Sequence, residues 1–530
     1  MRNEVLAATT NGRFDVIVIG GGASGLGVAL DAVSRGYSTL LLEQADFGSG
    51  TSSRSTKLVH GGVRYLQQGN ISLVREALHE RGLLYQNAPH LVTNLAFVVP
   101  RYKWWEGPFY GIGLKLYDLL AGKLNLAKSR SLNVDETLAA IPNLESDGLD
   151  GGTEYHDGQF DDARMCTTLV RTARDLGAVM VNRAAVIGLE HDEDGHVCGV
   201  RFKDGELGNE HMAHAKVVVN ATGVFANSVR RMDDAQAESV VAPSRGVHLV
   251  LDQSFLAGDT AIMVPHTDDG RVLFVIPWHE RCLVGTTDAL APEPIMEPRA
   301  LDEEVEFILR NAARYLDRDP TRDDILCVFA GLRPLVRHEG QATKKISREH
   351  EVLVSQHGLV SIIGGKWTTY RKMADDVMDH AIDVGGLDRG ACVTESLRLR
   401  GWLDREDDAM PDQNWLRVYG ADCSEVMAVC DEVDRGHELL HERLPYPRGA
   451  VVHAARHEQA LRVEDVLSRR TRALLLDARA AGECARDVAE LLAGELGRDA
   501  DWIAKETAAF EELAQGYEVA DSPRGSGRGH

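Results

Sequence analysis

The sequence predicts an α/β protein in which a parallel dinucleotide-binding sheet is joined to a separate antiparallel β domain and a C-terminal helical domain. Three observations lead to this prediction. A glycine-rich turn follows the first apolar strand, longer β-runs begin near residue 245, and nearly all of the chain beyond Leu397 has a helical period. We expect the antiparallel sheet to cover one side of a bound nucleotide.

The glycine-rich turn is the most specific signal in the chain. An apolar strand over residues 14–19 enters it, and Gly20, Gly22 and Gly25 follow at the spacing of a dinucleotide-binding motif. The first glycine permits the tight turn, the second lets backbone approach a pyrophosphate at the helix N-terminus, and the third lets the helix pack on the strand. A second strand ends at Glu43, which can accept a hydrogen bond from an adenosine ribose. Because the motif stands near the N-terminus and occurs once, it favours bound FAD over exchanging NAD.

The composition narrows the class of partner. The chain has 530 residues and a net charge of −23, which argues against a nucleic-acid partner because phosphate contacts need a basic face. Its eight cysteines are scattered without a CxxC pair, so we expect reduced thiols and no metal site. The pattern contains no signal peptide and no membrane-spanning segment, and we expect a cytoplasmic protein.

The strand pattern divides the chain further. Alternating residues over 178–205 predict an antiparallel meander, and the strand at 216–220 is predicted to be the last of the nucleotide-binding sheet. Two strands over 352–355 and 359–363 precede a helix at 368–381. The predicted bounds are 1–95, 150–240 and 355–385 for the FAD-binding domain, 96–149 and 241–354 for the substrate domain, 396–520 for the helical domain and 521–530 for a disordered tail.

Several further segments carry a resemblance to one enzyme family. They are Thr51–Leu66, Ile276–Trp278, Gly285–Asp288, Gly331–Leu335, Gly364–Lys372, Arg456–Ala460 and Asp465–Arg472. With the glycine motif they resemble the FAD-dependent glycerol-3-phosphate dehydrogenases, the aerobic flavoenzymes rather than the soluble NAD-linked type, over nearly the whole chain. The resemblance implies a glutathione-reductase-like fold shared with D-amino-acid oxidases and extended by C-terminal helices. It also implies oxidation of sn-glycerol 3-phosphate to dihydroxyacetone phosphate by hydride transfer to FAD, with electrons passed to a quinone-type acceptor.

Positive side chains at turn edges suit such a substrate. A phosphate dianion needs fixed cations, and arginine offers a planar fork that matches phosphate oxygens. An isolated arginine is more often a surface residue, but Arg333 stands in an apolar run, whereas Arg348 lies in a polar stretch typical of an exposed loop. The resemblance implies substrate-binding roles for Arg64, Tyr65, Thr287, Arg348 and Lys366, and catalytic roles for His248, His60 and Arg333.

Oxidation of a secondary alcohol also needs a base for the hydroxyl proton, and histidine is the usual choice near neutral pH. His248 lies on an apolar strand, where a lone histidine is ordinarily a core residue, but its position matches the active-site histidine of the resembling family. His60 is the competing base, because its loop should pass close to the flavin. We assign the base to His248 and a substrate-orienting role to His60.

The cofactor contacts are predicted by the same reasoning. The hydroxyls after residue 50 should meet the phosphates and the ribityl chain, and the helix that follows Gly365 should point its positive N-terminus at the flavin pyrimidine, which favours hydride acceptance. The predicted cofactor-binding residues are Gly20, Gly22, Gly25, Glu43, Thr51, Ser52, Ser53, Thr222, Gly223, Gly365, Lys366, Thr368 and Thr369.

The electron acceptor divides the resembling enzymes into quinone-reducing dehydrogenases and O₂-reducing oxidases. The oxidases carry an extra insertion in the substrate domain, and this chain has no long unmatched insertion between residues 245 and 366, which favours a dehydrogenase. A glycerol-3-phosphate oxidase and another FAD-dependent amine or 2-hydroxy-acid oxidase stay as alternatives. So does a non-catalytic or RNA-modifying flavoprotein that uses FAD as a scaffold, although the acidic net charge argues against it. Homodimerisation also stays open.

The segment 101–130 is a candidate membrane-docking surface. It carries six basic and two acidic residues inside an acidic protein and interleaves them with aromatic side chains. We expect Trp104, Trp105, Phe109 and Tyr110 at headgroup depth and Lys103, Lys115, Lys123 and Lys128 against lipid phosphates. An amphipathic helix that packs on its own core explains the pattern equally well. The docking hypothesis places the protein transiently on the inner face of the cell membrane.

Overall fold

The computed structural model describes residues 6–7, 9–10, 12–67, 69–103, 105–337, 350–405, 407 and 410–519, with the backbone alone at Arg64 and Gln67. Trp104, Arg348 and the predicted disordered tail at 521–530 lie outside the described residues.

Helices and strands alternate up to residue 385, and helices then dominate the C-terminal part. The α-helices are α1 (Ala23–Ser34), α2 (Val63–Gln67), α3 (Ile71–Asn87), α4 (Glu106–Ala121), α5 (Val134–Ala140), α6 (Asp162–Asp175), α7 (Ala226–Asp233), α8 (Asp302–Ala312), α9 (Tyr370–Gly385), α10 (Asn414–Arg417), α11 (Cys423–Glu432), α12 (Arg448–His457), α13 (Ala473–Leu476), α14 (Ala478–Glu483), α15 (Ala485–Leu496) and α16 (Ala500–Gln515).

The strands fall into two sheets. They are β1 (Arg13–Ile19), β2 (Thr39–Leu42), β3 (Leu58–Val59), β4 (Val92–Arg101), β5 (Arg130–Leu132), β6 (Gly151–Phe160), β7 (Val179–Val181), β8 (Ala184–His191), β9 (Val197–Asp204), β10 (Glu210–Asn220), β11 (Val241–Asp252), β12 (Thr260–Val264), β13 (Leu273–Trp278), β14 (Arg281–Gly285), β15 (Ala289–Leu290), β16 (Ile325–Val336), β17 (His350–Val354) and β18 (Val360–Gly364).

The first sheet is the predicted parallel sheet. Its strand order is β17-β18-β10-β1-β2-β7, with β9 paired to β10 and β8 to β9. The apolar run of β1 lies between β2 and β10 in parallel register, with Ile17 beside both Leu40 and Val218. One prediction was wrong: β10 is not the last strand, because β18 pairs with it in parallel on the far side. An apolar run fixes burial but not the order of neighbours, so the sequence could not exclude this arrangement.

The second sheet runs in the order β15-β11-β14-β13-β12-β4-β6-β3, with β16 paired to β11 and β5 to β6. It is largely antiparallel, as predicted, but β12 and β4 pair in parallel. The strands β3, β4 and β6 come mostly from segments that the sequence assigned to nucleotide binding, and β17, assigned to the substrate domain, pairs with β18 of the first sheet. Strand period does not identify a strand's partner, which is why sheet membership departs from the predicted bounds. The domain bounds themselves stay a prediction.

The C-terminal part is helical, as predicted, and it packs on the rest of the chain through buried ion pairs. A π-helical turn at Asp465–Arg470 supplies two arginines to Asp46 of the nucleotide-binding part. Arg164 of α6 forms two 2.7 Å hydrogen bonds with Glu458 at the end of α12. Because these charged groups are buried and mutually bonded, they fix the helical part against the strands that carry the site.

Candidate active site

Three neighbouring cavities lie along the junction of the two sheets. The nucleotide cavity, of about 350 Å³, follows the carboxyl ends of β1 and β2 and contacts Gly20, Glu43 and Thr222. The inter-sheet cavity, of about 230 Å³, shares Thr51, Pro334 and residues 364–367 with it. The rear cavity, of about 200 Å³, shares Thr56, Leu58, His60, Tyr65, Phe274 and Arg333 with the inter-sheet cavity. The shared lining residues therefore connect the nucleotide cavity, through the inter-sheet cavity, with the rear cavity.

The glycine turn shapes the nucleotide cavity. Gly20 has a φ of 107°, a conformation that favours glycine, and a Cβ atom at Gly25 would lie 1.9 Å from the Gly20 carbonyl oxygen. Gly22 is the N-cap of α1, no acidic side chain stands in the first helical turn, and residues of this turn line the cavity, so the positive N-terminus of α1 lies beside it. The Glu43 carboxylate accepts hydrogen bonds from the amides of Gly21 (2.6 Å) and Ala45 (2.8 Å), and burial raises its pKa.

Two loops meet where the nucleotide and inter-sheet cavities join. The Ser52 hydroxyl oxygen accepts a hydrogen bond from the Ala23 amide at 2.9 Å, and the Trp367 indole N–H donates to the Ser52 carbonyl at 2.8 Å. Gly365, with a φ of 82°, turns the second loop into the short 3₁₀ helix that precedes α9. The N-terminus of that helical segment and the N-terminus of α1 therefore both lie beside the same continuous space.

His248 lies on β11 in the wall of the inter-sheet cavity. Its ring stacks on Phe329 with centroids 4.9 Å apart, and its Nε2 lies 2.9 Å from the Thr56 hydroxyl oxygen. The side chain is buried, and Nδ1 has no hydrogen-bond partner among the described residues. Burial, together with the nearby charges of Arg333 and Lys57, lowers the pKa of His248 well below its usual value. The imidazole is therefore neutral at neutral pH, which is the protonation state of a base.

Arg333 lies on β16, the strand paired with β11, and lines the same cavity as His248. Its guanidinium donates to the Thr287 carbonyl oxygen and the Thr286 hydroxyl oxygen, each at 3.1 Å, and lies 3.6 Å from the Asp288 carboxylate. Gly246 leaves the space that this guanidinium occupies, because a Cβ atom there would lie 2.4 Å from the Arg333 Nη2 atom. A planar cation is thus held in a fixed position at the boundary of the inter-sheet and rear cavities.

His60, Tyr65 and Lys366 complete this wall. The His60 amide donates to the Thr368 hydroxyl oxygen at 3.2 Å, which ties the loop after β3 to the helical segment before α9. The Lys366 ammonium lies 3.8 Å from the centroid of the Tyr65 ring. All three residues border the inter-sheet cavity, so it is lined by two imidazoles, a phenol and fixed cations.

The comparisons with known proteins agree with this geometry. Residues 15–371 match the family described as FAD dependent oxidoreductase, and residues 360–502 match the C-terminal domain of alpha-glycerophosphate oxidase. The mitochondrial glycerol-3-phosphate dehydrogenase of Mesocricetus auratus is 41% identical in an alignment that covers 94% of this chain and 72% of the relative. The chain belongs to the FAD-dependent glycerol-3-phosphate dehydrogenase family.

Solved structures extend the comparison to the fold. The glycerol-3-phosphate dehydrogenase from Bacillus halodurans, solved in complex with FAD, has a TM-score of 0.80 and 30% sequence identity, and the match covers 98% of each chain. The glycine oxidase from Geobacillus kaustophilus has a TM-score of 0.54 and 18% identity over 73% of this chain and 98% of its own, and it shares the fold alone. The glutathione-reductase-like fold and its helical extension are therefore confirmed.

The cavities fit the FAD that this family uses. The glycine turn offers backbone amides to a pyrophosphate without a Cβ in the way, and Glu43 borders the same space with both carboxylate oxygens held by backbone amides. The space then continues past Thr51 to Gly365 and Trp367, as an extended dinucleotide requires. Chemically, the donor set suits a phosphate-bearing dinucleotide at one end and a ring system at the other.

Most of the predicted site residues line these cavities. The structure brings together Gly20, Gly22, Glu43, Thr51, Ser52, Thr222, Gly223, Gly365 and Lys366 at the nucleotide cavity, and His60, Tyr65, His248, Arg333, Lys366 and Thr368 at the inter-sheet cavity. Gly25 packs closely against the Gly20 carbonyl behind the nucleotide cavity. The Ser53 carbonyl accepts a hydrogen bond from Lys57, and the Thr369 hydroxyl donates to the Lys366 carbonyl. The side chain of Arg64 and all of Arg348 lie outside the described residues.

Thr287 is a correction to the predicted substrate-binding set. Its hydroxyl is buried, donates to Glu304 at 2.9 Å and accepts from the Val247 amide at 3.0 Å, so it is fully used inside the protein. Its neighbour Thr286 borders the rear cavity instead and bonds to Arg333. Adjacent residues of an extended segment point to opposite sides, and the sequence motif alone could not fix which of the two faces the cavity.

The sequence reasoning missed Thr56 and Lys57. The Lys57 ammonium is buried, bonds to Asp162 at 2.8 and 2.9 Å and lies 5.3 Å from the Phe329 ring that stacks on His248. Burial lowers its pKa. Both residues stand inside the Thr51–Leu66 motif, but no spacing rule separates them from its other polar residues, and the left-handed φ of 63° at Lys57 is a tertiary feature.

The α4 helix presents an apolar row to the outside. The exposed fractions of Trp105, Phe109, Ile112, Leu116 and Leu119 are 40, 51, 72, 38 and 75%, and their spacing of three and four residues places them on one face, here called the α4 face. Lys103, Lys115, Lys123 and Lys128 are exposed around it. The expectation for Tyr110 was wrong, because its ring is buried with Leu114 and Tyr117 on the opposite face. Within the described ranges, no helix has the length and apolar character needed to span a bilayer.

Proposed function

We propose that this chain oxidises glycerol 3-phosphate to dihydroxyacetone phosphate with FAD as its hydride acceptor. The observation that carries the proposal is the inter-sheet cavity, which is lined by the buried His248 imidazole and the Arg333 guanidinium and adjoins the end of the nucleotide cavity. The names of the 41% identical mitochondrial relative and of the 30% identical Bacillus structure support the same substrate.

The charged side chains bind the substrate phosphate, and the neutral imidazole removes the hydroxyl proton. Arg333, held by Thr286 and Thr287, offers its fork to the substrate phosphate, and Lys366 adds a second positive charge in the same wall. His248 takes the proton of the C2 hydroxyl at its imidazole, and the Thr56 hydroxyl holds that ring at Nε2. FAD, when bound, supplies the acceptor for the hydride that leaves C2.

Two further residues keep this arrangement in place. The positive charges of Arg333 and Lys57, added to burial, favour the neutral form of His248 before the substrate arrives. His60, tied through its amide to Thr368, orients the substrate from the opposite loop. After the proton and the hydride have left, C2 is a carbonyl carbon and the phosphate keeps its charge. His248 then returns its proton to water.

An anaerobic reduction experiment tests the substrate assignment. Glycerol 3-phosphate should bleach the yellow flavin absorbance of the purified enzyme, while glycerol, lactate and D-amino acids at the same concentration should not. Glycerol is the matched control, because it lacks only the phosphate that Arg333 and Lys366 are proposed to bind. Bleaching by lactate or a D-amino acid, with none by glycerol 3-phosphate, would assign the cavity to another class of substrate.

The electron acceptor is proposed to be a membrane quinone, reached by docking at the inner face of the cell membrane. The dehydrogenase names of the relatives favour this acceptor over O₂. With a net charge of −23, the protein needs a local basic surface to approach an anionic leaflet, and the exposed lysines around the α4 face provide one. Each lysine near such a surface contributes roughly 1 kcal/mol, and the exposed apolar row can enter the headgroup region.

A paired mutation tests the docking surface. Replacing both Ile112 and Leu119 with serine should weaken co-sedimentation with anionic liposomes by about tenfold or more, because each large aliphatic side chain contributes roughly 1.5–3 kcal/mol when buried. Quinone reduction should fall while activity with a soluble dye acceptor stays intact. The matched control replaces Leu207 and Leu439, which are 59 and 51% exposed elsewhere, and should leave both activities unchanged. Equal liposome binding by both double variants would place docking elsewhere.

A further inference from the structure

Three potential metal ligands converge on the outer side of the nucleotide-binding sheet, away from the cavities. They come from different elements: His191 ends β8, Asp233 ends α7, and His357 lies in the turn between β17 and β18. The His191 Nε2 and the His357 Nδ1 each lie 3.1 Å from the same Asp233 oxygen, Oδ1. All three donor atoms lie within 4.8 Å of one another.

The Asp233 carboxylate is in an unusual position for an acidic group. Its side chain is 1% exposed and stands at the C-terminal end of α7, where the helix dipole disfavours negative charge. Within the described ranges it has no arginine or lysine partner, because Arg230 and Arg231 of the same helical turn bond to Glu238 and Ser239 instead. The two imidazoles are thus its remaining polar partners, and a bound cation would compensate its charge.

The two imidazoles form the solvent side of this cluster. Their side chains are 30 and 32% exposed, and their rings are nearly perpendicular, at 89°, with centroids 5.6 Å apart. An inner carboxylate with two outer imidazoles leaves room for water as a further ligand. Because both imidazoles are partly exposed, an ion can reach the three ligands from solution.

The distances suit a small tetrahedral ion. Zinc binds imidazole nitrogen and carboxylate oxygen at about 2.0–2.2 Å, which places two ligands of one tetrahedral ion about 3.3–3.6 Å apart. The 3.1 Å separations from Asp233 to each histidine need to widen by only a few tenths of an ångström, and the two histidine nitrogens, which lie within 4.8 Å of one another, need to reach the same spacing. Two nitrogen donors also favour zinc-type ions over Mg²⁺ and Ca²⁺, which select oxygen ligands.

We propose that His191, Asp233 and His357 form a binding site for a divalent transition-metal ion of the zinc type, with water as the fourth ligand. The ion would join β8, α7 and the β17–β18 turn, three elements that are far apart in sequence. The inner side of α7 contacts the nucleotide cavity through Ser228 and Met232, and β18 leads directly into the glycine turn at Gly364. The site therefore stabilises the wall behind the cofactor and takes no part in turnover.

Titration of the untagged, chelator-treated holoenzyme with Co²⁺ and Zn²⁺ tests the proposal. The full-length protein should bind one ion per chain with the intense visible absorption of tetrahedral Co²⁺, and Zn²⁺ should displace it. Zinc should also raise the Tm by about 2 °C or more, as ligand binding to the folded state requires, whereas Mg²⁺ should not. Dye-linked activity with glycerol 3-phosphate should not change, so the outcome is independent of the proposed substrate.

Single substitutions separate the site from incidental histidine binding. Asp233→Asn and His357→Gln should each weaken Co²⁺ binding at least tenfold and abolish the zinc-dependent rise in Tm, as loss of a primary ligand predicts. The control is His437→Gln, because His437 pairs with Asp431 at 2.7 Å on the surface and is not part of a three-ligand cluster. Wild-type binding with an octahedral spectrum, or equal affinity in the wild type and both site variants, would overturn the proposal. If a variant fails to fold, absence of the tetrahedral spectrum in the wild type overturns it on its own.

Discussion

The inter-sheet cavity and the interface beneath the C-terminal helices both collect arginines, but the two regions treat the positive charge differently. At the interface, Arg164 forms a two-bond pair with Glu458, and Arg470 does the same with Asp46, all inside the protein. Burial alone would raise the pKa of Glu458, but Arg164 beside it lowers that pKa below its usual value. At the interface, each arginine is thus bonded directly to a buried carboxylate, and Asp46 accepts from both Arg469 and Arg470.

At the cavity, the arginine is only partly buried, with its side chain 26% exposed. Arg333 bonds to a carbonyl and a hydroxyl oxygen, and its carboxylate neighbour, Asp288, is 3.6 Å away. The resulting field reaches His248 and lowers its pKa, in addition to the effect of burial. An arginine buried in a two-bond carboxylate pair, such as Arg164 at 2% exposure, serves cohesion, whereas Arg333 borders the cavity and can also meet a dianionic ligand there.

The largest expected effect concerns the interface. Arg164→Met should lower the free energy of unfolding by about 3–5 kcal/mol, because it leaves the Glu458 carboxylate buried without two of its donors. Arg456→Met is the control, since Arg456 is 37% exposed and its pairs with Glu495 and Glu432 should be worth less than about 1 kcal/mol. Urea unfolding at neutral pH measures both. Similar small losses in the two variants would break the distinction between the regions.

The cavity arginine should behave in the opposite way. Arg333→Lys should raise the KM for glycerol 3-phosphate by about 10- to 100-fold, because a point-charge ammonium cannot reproduce the fork, while the free energy of unfolding changes little. Steady-state kinetics and urea unfolding of the same preparation provide the two readouts. Arg337→Lys, at an exposed arginine just beyond β16, is the control and should keep the wild-type KM. A large loss of stability with an unchanged KM would make Arg333 a structural residue.

A smaller effect concerns one buried histidine in each region, His248 at the cavity and His453 at the interface. Burial and nearby arginines lower the pKa of both. Burial lowers the pKa of His453, beside Arg171 and Arg164, to about 4, and its ring nitrogens have no hydrogen-bond partner in the part of the chain that the structure describes. The folded pKa is below the unfolded value of 6.5, so the unfolded state binds the extra proton. Stability is therefore complete above pH 6.5 and is lost as the pH falls from 6.5 towards about 4.

His453→Phe should remove this contribution. The fall in unfolding free energy with decreasing pH should become shallower by up to about 1.4 kcal/mol per pH unit in that window. Urea unfolding between pH 6.5 and 5 tests this, and His437→Phe, at an exposed histidine, should leave the slope unchanged. An identical slope in wild type and His453→Phe would mean that His453 is already charged in the folded protein.

Local motifs predicted the parts of the site that depend on adjacent residues. The glycine turn, the acid at Glu43 and the arginine before Pro334 were predicted because binding a nucleotide or a phosphate needs a given residue type at a fixed place in a short motif. The sequence predicted less well which side chains of a strand or helix face the cavity or the solvent. Thr286 rather than Thr287 reaches the rear cavity, and the exposed row of α4 runs through Ile112 and Leu119 while Tyr110 points inward.

Features built from distant segments could not be predicted. Sheet membership of β4 and β17 depends on partners that lie far away in sequence, and strand period is the same for either sheet. The sequence likewise did not indicate the cluster of His191, Asp233 and His357, because these residues come from three separate elements and share no spacing motif. Only the folded chain brings such groups to one point.

The central claim is that His248 is the base in a cavity whose cations bind the substrate phosphate. Anaerobic stopped-flow reduction of the flavin at saturating glycerol 3-phosphate tests it most directly. His248→Asn should slow flavin reduction by about a hundredfold or more with little change in substrate affinity, and His60→Asn should affect affinity at least as much as rate. If His60→Asn abolishes reduction while His248→Asn reduces at a near-normal rate, the base is His60 and the central claim is wrong.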